Sequence, residues 1–343
     1  MSIPTLEEVA RAAGVSRATA SRVVNGSSTV GIEARQSVER AVAELEYVPN
    51  RAARSLVTRS NDSIGVVIAE PTGRIFGDPF FAEVLRGIST GLADRHMALV
   101  LVMSQSQEEE RRAERYLTGG HVAGVIMFSL HGNDPLPERL QSRGIPVVVG
   151  GEPPPGARVS YVDNDNRGGA IAAVNHLIEQ GRTRIATITG PLDMPASVTR
   201  RLGYRDALRS AGRTLDPDLE EGGEFTREGG QRGMEALLKR CPDIDAVFAA
   251  SDLMASGALS ALYAAGRTVP DDVAVVGFDD SIVALSTQPA LSSVHQSMEM
   301  MGRELVSVLL QTVNVRDHVV RRVVLETELI VRQSTGGPPT RKN

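Results

Sequence analysis

Apolar side chains in the first fifty residues recur at helical spacing, whereas from residue 64 onward they gather into short unbroken runs, so the architecture changes near residue 60. In "LEEVARAA", Leu6, Val9, Ala10 and Ala13 fall at i, i+3, i+4 and i+7, one face of a helix. Thr5 is placed to cap it, with Glu8 as the reciprocal partner of a capping box. Gly14 supplies a residue that tolerates a left-handed turn, and Ser16 can cap a second helix through "RATASRVV". Val15 and Val23 fill the space between the two helices, leaving Arg17, Ala18, Ser21 and Arg22 outward: a helix-turn-helix pattern. A third segment, "EARQSVERAVAELEYV", sets Ala34, Val38, Ala41, Val42 and Leu45 on one stripe and ends before Pro49. A plain three-helix bundle with solvated arginines is the alternative that these residues alone leave open.

The later runs, "IGVVIA", "ALVLVM", "GVIMFS", "PVVVG", "VSYVD", "RIATIT", "DAVFAA" and "VAVVGFD", alternate with amphipathic windows. That alternation predicts parallel sheets flanked by helices. Eight or more strands divide near 160, where "GGEPPPGARVSYVDNDN" suits a connection, into two α/β lobes.

Length and composition narrow the function. A chain of 343 residues exceeds one ordinary domain. No stretch approaches the roughly 18 to 20 uncharged apolar residues of a membrane span, and no signal-peptide run opens the chain, so a cytoplasmic protein is expected. Cys241 is the only cysteine, which excludes an intrachain disulfide and a cysteine-rich zinc site. Neither lysine, Lys239 or Lys342, follows a glycine, so no Walker A loop exists. The six histidines show no metal-ligand spacing, and no nucleophile elbow is evident. The expectation is therefore no enzyme, no cofactor and no metal.

Charge is unevenly spread. The net charge is −5, yet residues 1–60 carry 8 Arg against 6 Glu, and the remainder carries 29 basic and 36 acidic residues. A mildly basic head on an acidic body suits a protein in which only the head meets a polyanion. In a major groove an arginine near a helix N-terminus can bond guanine O6 and N7 together, which makes Arg17 and Arg22 candidates. In open parallel sheets ligands bind beyond the carboxyl ends of the strands. Asp279 after "VVGF", Asp252 after "VFAAS", Arg200 near the start of "TRRLGYRDAL" and Gln296 after "LSSVH" are the polar residues so placed. Asp252 as a mere helix cap and Arg200 as a mere partner for an acid are the alternatives.

Seven stretches, in order, resemble the successive signatures of the lactose-repressor (LacI/GalR) family of bacterial transcriptional regulators: "TLEEVARAAGVSRATASRVVNG", "AVAELEYVPNRAARSL", "DPFFAEVLRGI", "VDNDNRGGA", "RRLGYRDAL", "AASDLMASGAL" and "VVGFDDS". The resemblance implies an all-α helix-turn-helix head (1–49), a hinge helix and linker (50–61), a periplasmic-binding-protein-like core with parallel sheets (62–336) and a flexible tail (337–343). In the core it implies an N-lobe of about 62–160 and 291–324 and a C-lobe of about 161–290 and 325–336. It implies a homodimer on palindromic operator DNA, repressing transcription under the control of a small ligand, a sugar or oligosaccharide, held between the lobes. A solute-binding protein without DNA function is the alternative.

The DNA-binding set so implied is Thr5, Ser16, Arg17, Ala18, Thr19, Ser21, Arg22, Asn25, Asn50, Arg51 and Leu56. Arg17 and Ala18 stand at base-reading positions, Ser16, Thr19, Ser21 and Asn25 near phosphates, and Leu56 as a minor-groove wedge. The effector-binding set is Asp78, Phe80, Arg200, Phe225, Ser251, Asp252, Asp279 and Gln296, with Phe225 where a ring stacks on a sugar face. The chain departs from the family at Ala20 (valine), Ser251 (asparagine) and Gly151 (aspartate). "AEPTGRIFGDPFF" is also longer than the common form and adds Arg74, Ile75 and Phe76 near the cleft mouth. Prediction: Leu56→Ala weakens binding to a specific operator much more than to random DNA in titrations at matched salt, and equal losses on both DNAs refute a wedge at this position.

Overall fold

The computed structural model describes residues 4–25, 27, 29–47, 62–104, 106–313 and 319–337. Asn50, Arg51, Leu56, the rest of the expected hinge and the tail beyond residue 337 lie outside them. The chain divides into two compact units, 1–61 and 62–343.

The first unit holds three helices, α1 (Leu6–Ala12), α2 (Arg17–Val24) and α3 (Ile32–Glu44). Thr5 and Glu8 form the capping box reciprocally, and the Ser16 hydroxyl accepts from Thr19 N. Gly14, at φ +65°, takes the left-handed turn between α1 and α2. Val9, Ala10, Ala20, Val23, Val38 and Ala41 form the core, with Val15, Val42 and Leu45 packed around it. Ala20 is fully buried, so its small volume sets how closely α2 approaches the other helices.

The second unit is two α/β lobes. In chain order it runs β1 (Ser63–Ile68), α4 (Thr72–Gly77), α5 (Pro79–Ala93), β2 (Ala98–Met103), α6 (Gln107–Thr118), β3 (Gly124–Phe128), α7 (Leu136–Ser142), β4 (Val147–Gly150) and β5 (Ser160–Asn164). It continues α8 (Asn166–Glu179), β6 (Ile185–Thr189), α9 (Pro195–Ser210), β7 (Glu220–Gly222), α10 (Arg227–Arg240), β8 (Ala246–Ala249), α11 (Asp252–Ala264) and β9 (Ala274–Asp279). It closes with α12 (Ile282–Ser286), β10 (Ser292–Gln296), α13 (Met298–Thr312), β11 (Arg322–Leu325) and β12 (Thr327–Ile330). One six-stranded sheet has the order β11-β5-β4-β3-β1-β2, the other β12-β10-β9-β8-β6-β7. Every described pairing is parallel except β10 with β12. Inner strands such as β3, β6, β8 and β9 are buried throughout, which is why their sequences are continuous apolar runs, whereas the edge strands β2, β7, β11 and β12 are only partly buried.

The chain crosses between the sheets three times: after Asn164, after Gln296 and after Leu325. The expected boundary at 160 would cut β5, which lies whole in the first sheet. The expected return at 291 precedes β10, which lies in the second. The physical reason is local: Pro153, Pro154, Pro155 and Gly156 form a loop between β4 and β5 within the first lobe, not the connection between lobes.

Helices α10 and α11 cross so closely that a Cβ on Gly257 would sit 1.9 Å from the Arg227 carbonyl oxygen. A Cβ on Gly230 would likewise lie 2.2 Å from the Met254 carbonyl oxygen, so the first turns of α10 and α11 are held together. Prediction: Gly257→Ala destabilises the protein by about 1–3 kcal/mol, the usual cost of overpacking, measured by urea unfolding, and a change below about 0.5 kcal/mol would show that the helices separate freely.

Candidate functional site

In the head, Thr5, Ser16, Arg17, Ala18, Arg22 and Asn25 are exposed, and Thr19 and Ser21 half-buried. The hydroxyls are locally engaged: Ser16 Oγ lies 2.9 Å from Thr19 Oγ1, and Asn25 Nδ2 donates to Ser21 Oγ at 3.3 Å. Arg17 Nε meets Glu7 Oε1 at 2.6 Å. Both partners are exposed, so the pair is worth about 0.2–1 kcal/mol, less than the about 1–3 kcal/mol of a bidentate guanine contact.

In the core, the strand ends of both lobes converge on a cavity of about 120 Å³ lined by residues from each side. From the first lobe come Arg74, Asp78, Phe80, Ser129, Asp163 and Asn164; from the second come Met194, Arg200, Phe225, Ser251, Asp279 and Gln296. This is where parallel-sheet topology leaves a crevice.

Arg200, on α9, is only 5% exposed. Its Nε donates to Asn166 Oδ1 (2.8 Å), its Nη1 to the Ala250 carbonyl (2.6 Å) and to Asp279 Oδ1 (3.4 Å). The guanidinium carbon lies 3.6 Å from the Phe278 ring centroid. Nη2 has no protein partner among the described residues. Gln296 Nε2 donates to the same Asp279 oxygen at 2.6 Å.

Burial pushes Asp279 up to about 7 despite Arg200, and Asp163 up to about 6 despite backbone hydrogen bonds from Asn164 and Glu152. Asp78, which caps α5 through Phe80 N, is also raised by burial. Arg200 is shifted downward by its own desolvation.

Phe225 lies between two cations, with the guanidinium of Arg74 5.3 Å and that of Arg200 5.8 Å from its centroid. Ser129, Phe225 and Asp279, all lining the cavity, have positive φ (60°, 56° and 107°). Such backbone in non-glycine residues costs about 1–3 kcal/mol each and marks places where the fold imposes a direction on the chain.

The structure brings seven of the eight expected effector residues into this cavity and leaves out Asp252. The Asp252 carboxylate is fully buried and consumed by Ser281 N (2.7 Å), Ser281 Oγ (3.1 Å) and Ser293 Oγ (2.6 Å). It holds the loop behind Asp279 and, being fully buried, is not among the residues that line the cavity. Ser251, not Asp252, caps α11.

Of the residues in the longer first-lobe segment, Arg74 lines the cavity, Ile75 is in the lobe core at 2% exposure, and Phe76 points to solvent at 71%. Gly151 also lines the cavity. Asp163, Asn166 and Met194, not expected from the sequence, also line the cavity, and Glu70, His131 and Asp193 form an unexpected bridge between the lobes. The string Gly87-Ile88-Ser89-Thr90-Gly91 spells the GxSxG pattern but lies inside α5 and makes no strand-to-helix elbow. Among the described residues no group of His, Cys, Asp and Glu could hold a metal ion, and no helix is long and apolar enough to cross a membrane.

Residues 5–50 match the family "Bacterial regulatory proteins, lacI family", and residues 174–335 match "Periplasmic binding protein-like domain". The chain is 50% identical to the HTH-type transcriptional regulator CelR of Thermobifida fusca over 333 residues, 96% of this chain and 98% of that protein. It is 34% identical to the ribose operon repressor of Escherichia coli K12 over 90% of this chain and 93% of that one.

The chain belongs to the lactose-repressor family.

As a member it is a DNA-binding transcriptional regulator, a helix-turn-helix head joined to a two-lobed core. Solved structures agree: a CelR–cellobiose complex superposes with a TM-score of 0.78 at 48% identity, covering 96% of this chain and 99% of that chain. The lac repressor dimer bound to operator and the anti-inducer ONPF gives 0.86 at 26% identity, covering 97% and 99%. The match over residues 5–50 favours a regulator of this family over a solute-binding protein without DNA function.

Prediction: Asp279 adds a pH slope to stability. A carboxyl whose folded pKa is raised stabilises the folded state below its ordinary 3.8 and loses that contribution as pH climbs to about 7. Urea unfolding of the ligand-free protein from pH 5.5 to 8 therefore shows stability falling toward pH 7, with a shallower fall in Asp279→Asn; equal slopes would mean that Asp279 is already ionised at the low end.

Proposed function

We propose that the effector of this regulator is a neutral β-linked glucose disaccharide or short oligosaccharide of the cellobiose class, bound in the cavity between the lobes without being chemically altered. The observation that carries the reading is the Phe225 ring at a cavity whose charged groups are mostly carboxyls. Asp78, Asp134, Glu138, Glu152, Asp163 and Asp279 share that lining with two arginines, Arg74 and Arg200. Such an excess repels sugar phosphates and other anions, whereas hydroxyls of a neutral sugar donate to the carboxylates and accept from Arg200 Nη2. The CelR–cellobiose complex, at 48% identity, supports the same class.

Asp78, Phe80, Arg200, Phe225, Ser251, Asp279 and Gln296 are the proposed contacts, with Arg74 and Asp163 added. Asp252 serves as a positioning residue behind Asp279. In the head, Arg17 exchanges Glu7 for a base edge, Arg22 and Ala18 face the groove, and Thr5, Ser16, Thr19, Ser21 and Asn25 approach the backbone. Asn50, Arg51 and Leu56 are proposed to complete the DNA-binding surface. A dimer follows because one head reads only a half-site. Effector binding changes operator affinity, and operator changes effector affinity by the same factor.

The test is footprinting on the DNA upstream of the coding sequence with and without cellobiose, beside calorimetric titration with cellobiose, glucose and glucose 6-phosphate. Cellobiose binds the wild type and alters the footprint, and glucose 6-phosphate does not bind. Phe225→Ala weakens cellobiose binding at least tenfold. Binding of a sugar phosphate in preference to the neutral sugar overturns the reading.

A further inference from the structure

We infer that His131, as an imidazolium, is the positioning residue that clamps the two lobes over a bound effector. The inference rests on the effector reading above only for the identity of the sugar.

His131 follows β3 in the first lobe, and both of its ring nitrogens meet carboxylate oxygens. Nε2 lies 3.0 Å from Glu70 Oε1, beyond β1 of the same lobe, and Nδ1 lies 2.9 Å from Asp193 Oδ2, beyond β6 of the other lobe. Ionised carboxylates only accept hydrogen bonds, so both contacts form together only when each ring nitrogen carries a proton. Gly132 N donates to the Asp193 carbonyl at 2.8 Å, a second bond between the lobes at the same point. Leu130 and Gly132 on one side of the bridge and Met194 and Pro195 on the other line the cavity, so the bridge stands in its wall.

The two halves of the bridge differ. Glu70 is 3% exposed, and its Oε1 also accepts from Arg74 Nη1 (2.6 Å) and Ser129 Oγ (2.5 Å), which anchors it in the first lobe. Asp193, the second lobe's carboxylate in the bridge, is half exposed. These two acids, with Arg74 behind Glu70, are the charged groups facing the ring.

If the ring loses a proton, the anchored Glu70 keeps the remaining one on Nε2, and the Nδ1 lone pair then faces an Asp193 oxygen. Attraction becomes repulsion at the contact that joins the lobes. The two carboxylates hold His131 above its ordinary 6.5, against its partial burial. The clamp is therefore complete at lower pH and is lost as pH rises through a midpoint above 6.5. Because the effector favours the closed cleft, its binding raises that midpoint further.

The experiment is a pH titration, from 5.5 to 9, of the full chain labelled with 13C-histidine, its His131 Cε1 resonance assigned by absence in His131→Gln. We expect a midpoint above 6.5 that rises on adding cellobiose and falls in Asp193→Asn, an exposed substitution that leaves folding intact. Calorimetry should show cellobiose affinity of the wild type falling several-fold between pH 7 and 9 relative to His131→Gln, the comparison cancelling titration of Asp279. A midpoint at or below 6.5, or one indifferent to Asp193→Asn, overturns the clamp. If the wild type binds no cellobiose, the effector reading fails, and the sugar-free titration and its response to Asp193→Asn still decide the bridge.

Discussion

Taking a guanidinium out of water costs several kcal/mol unless its donors find acceptors, and Arg200 meets that demand with groups from three elements. Asn166 opens α8 just after the first crossing between lobes, Ala250 follows β8, and Phe278 and Asp279 end β9. Asp279 is in turn held by Gln296, the last residue before the second crossing. One buried cation thus fixes the polar floor of the cavity and two of the three junctions between strands and interlobe crossings. A ligand that engages Arg200 or Asp279 acts on the segments about which the lobes must turn, and this gives the family's allostery a physical route in this chain.

The same floor explains why left-handed backbone collects there. Asp279 and Asp280 turn sharply away from β9, and that turn is held by Asp252 gripping Ser281 and by Ser293 Oγ accepting from Asp280 N. Phe225 is similarly held, with Gly190 beneath it so close that a Cβ there would lie 2.3 Å from the ring. Each strained residue is over-determined by neighbours, so the site is formed before a ligand arrives and little ordering entropy remains to oppose binding.

How much of this was legible in the sequence follows from the range of each interaction. Capping at Thr5 and Ser16, the turn at Gly14 and the βα alternation are local, and each is readable from a few adjacent residues. Seven of the eight expected effector positions line the cavity because strand ends announce themselves and because ordered family motifs fix register. The expected boundaries near 160 and 291 fall a few residues early, the first because a Pro-rich loop and an interlobe crossing look alike in composition, and only the pairing of β5 and β10 separates them, whereas the one near 325 agrees with the crossing after β11. Asp252 was misassigned because a carboxylate at a helix start reads the same whether it faces a ligand or three buried donors. Glu70, His131 and Asp193 carried no signal, since they are about sixty residues apart in succession and meet only when both lobes are folded.

The cleft combines two proton-binding devices of opposite sign. In the proposed complex, hydroxyls that a neutral sugar donates to Asp279 favour its ionised form, and because burial pushes that carboxyl up to about 7, such binding at neutral pH releases protons there. Closure of the His131 bridge favours the protonated ring, so the same event takes protons up at the cavity wall. The two partly cancel in any net count, and a small net exchange on binding is compatible with two large local ones. The pH response of such a regulator is then set by which of the two midpoints the surrounding pH approaches, and only a site-resolved titration separates them.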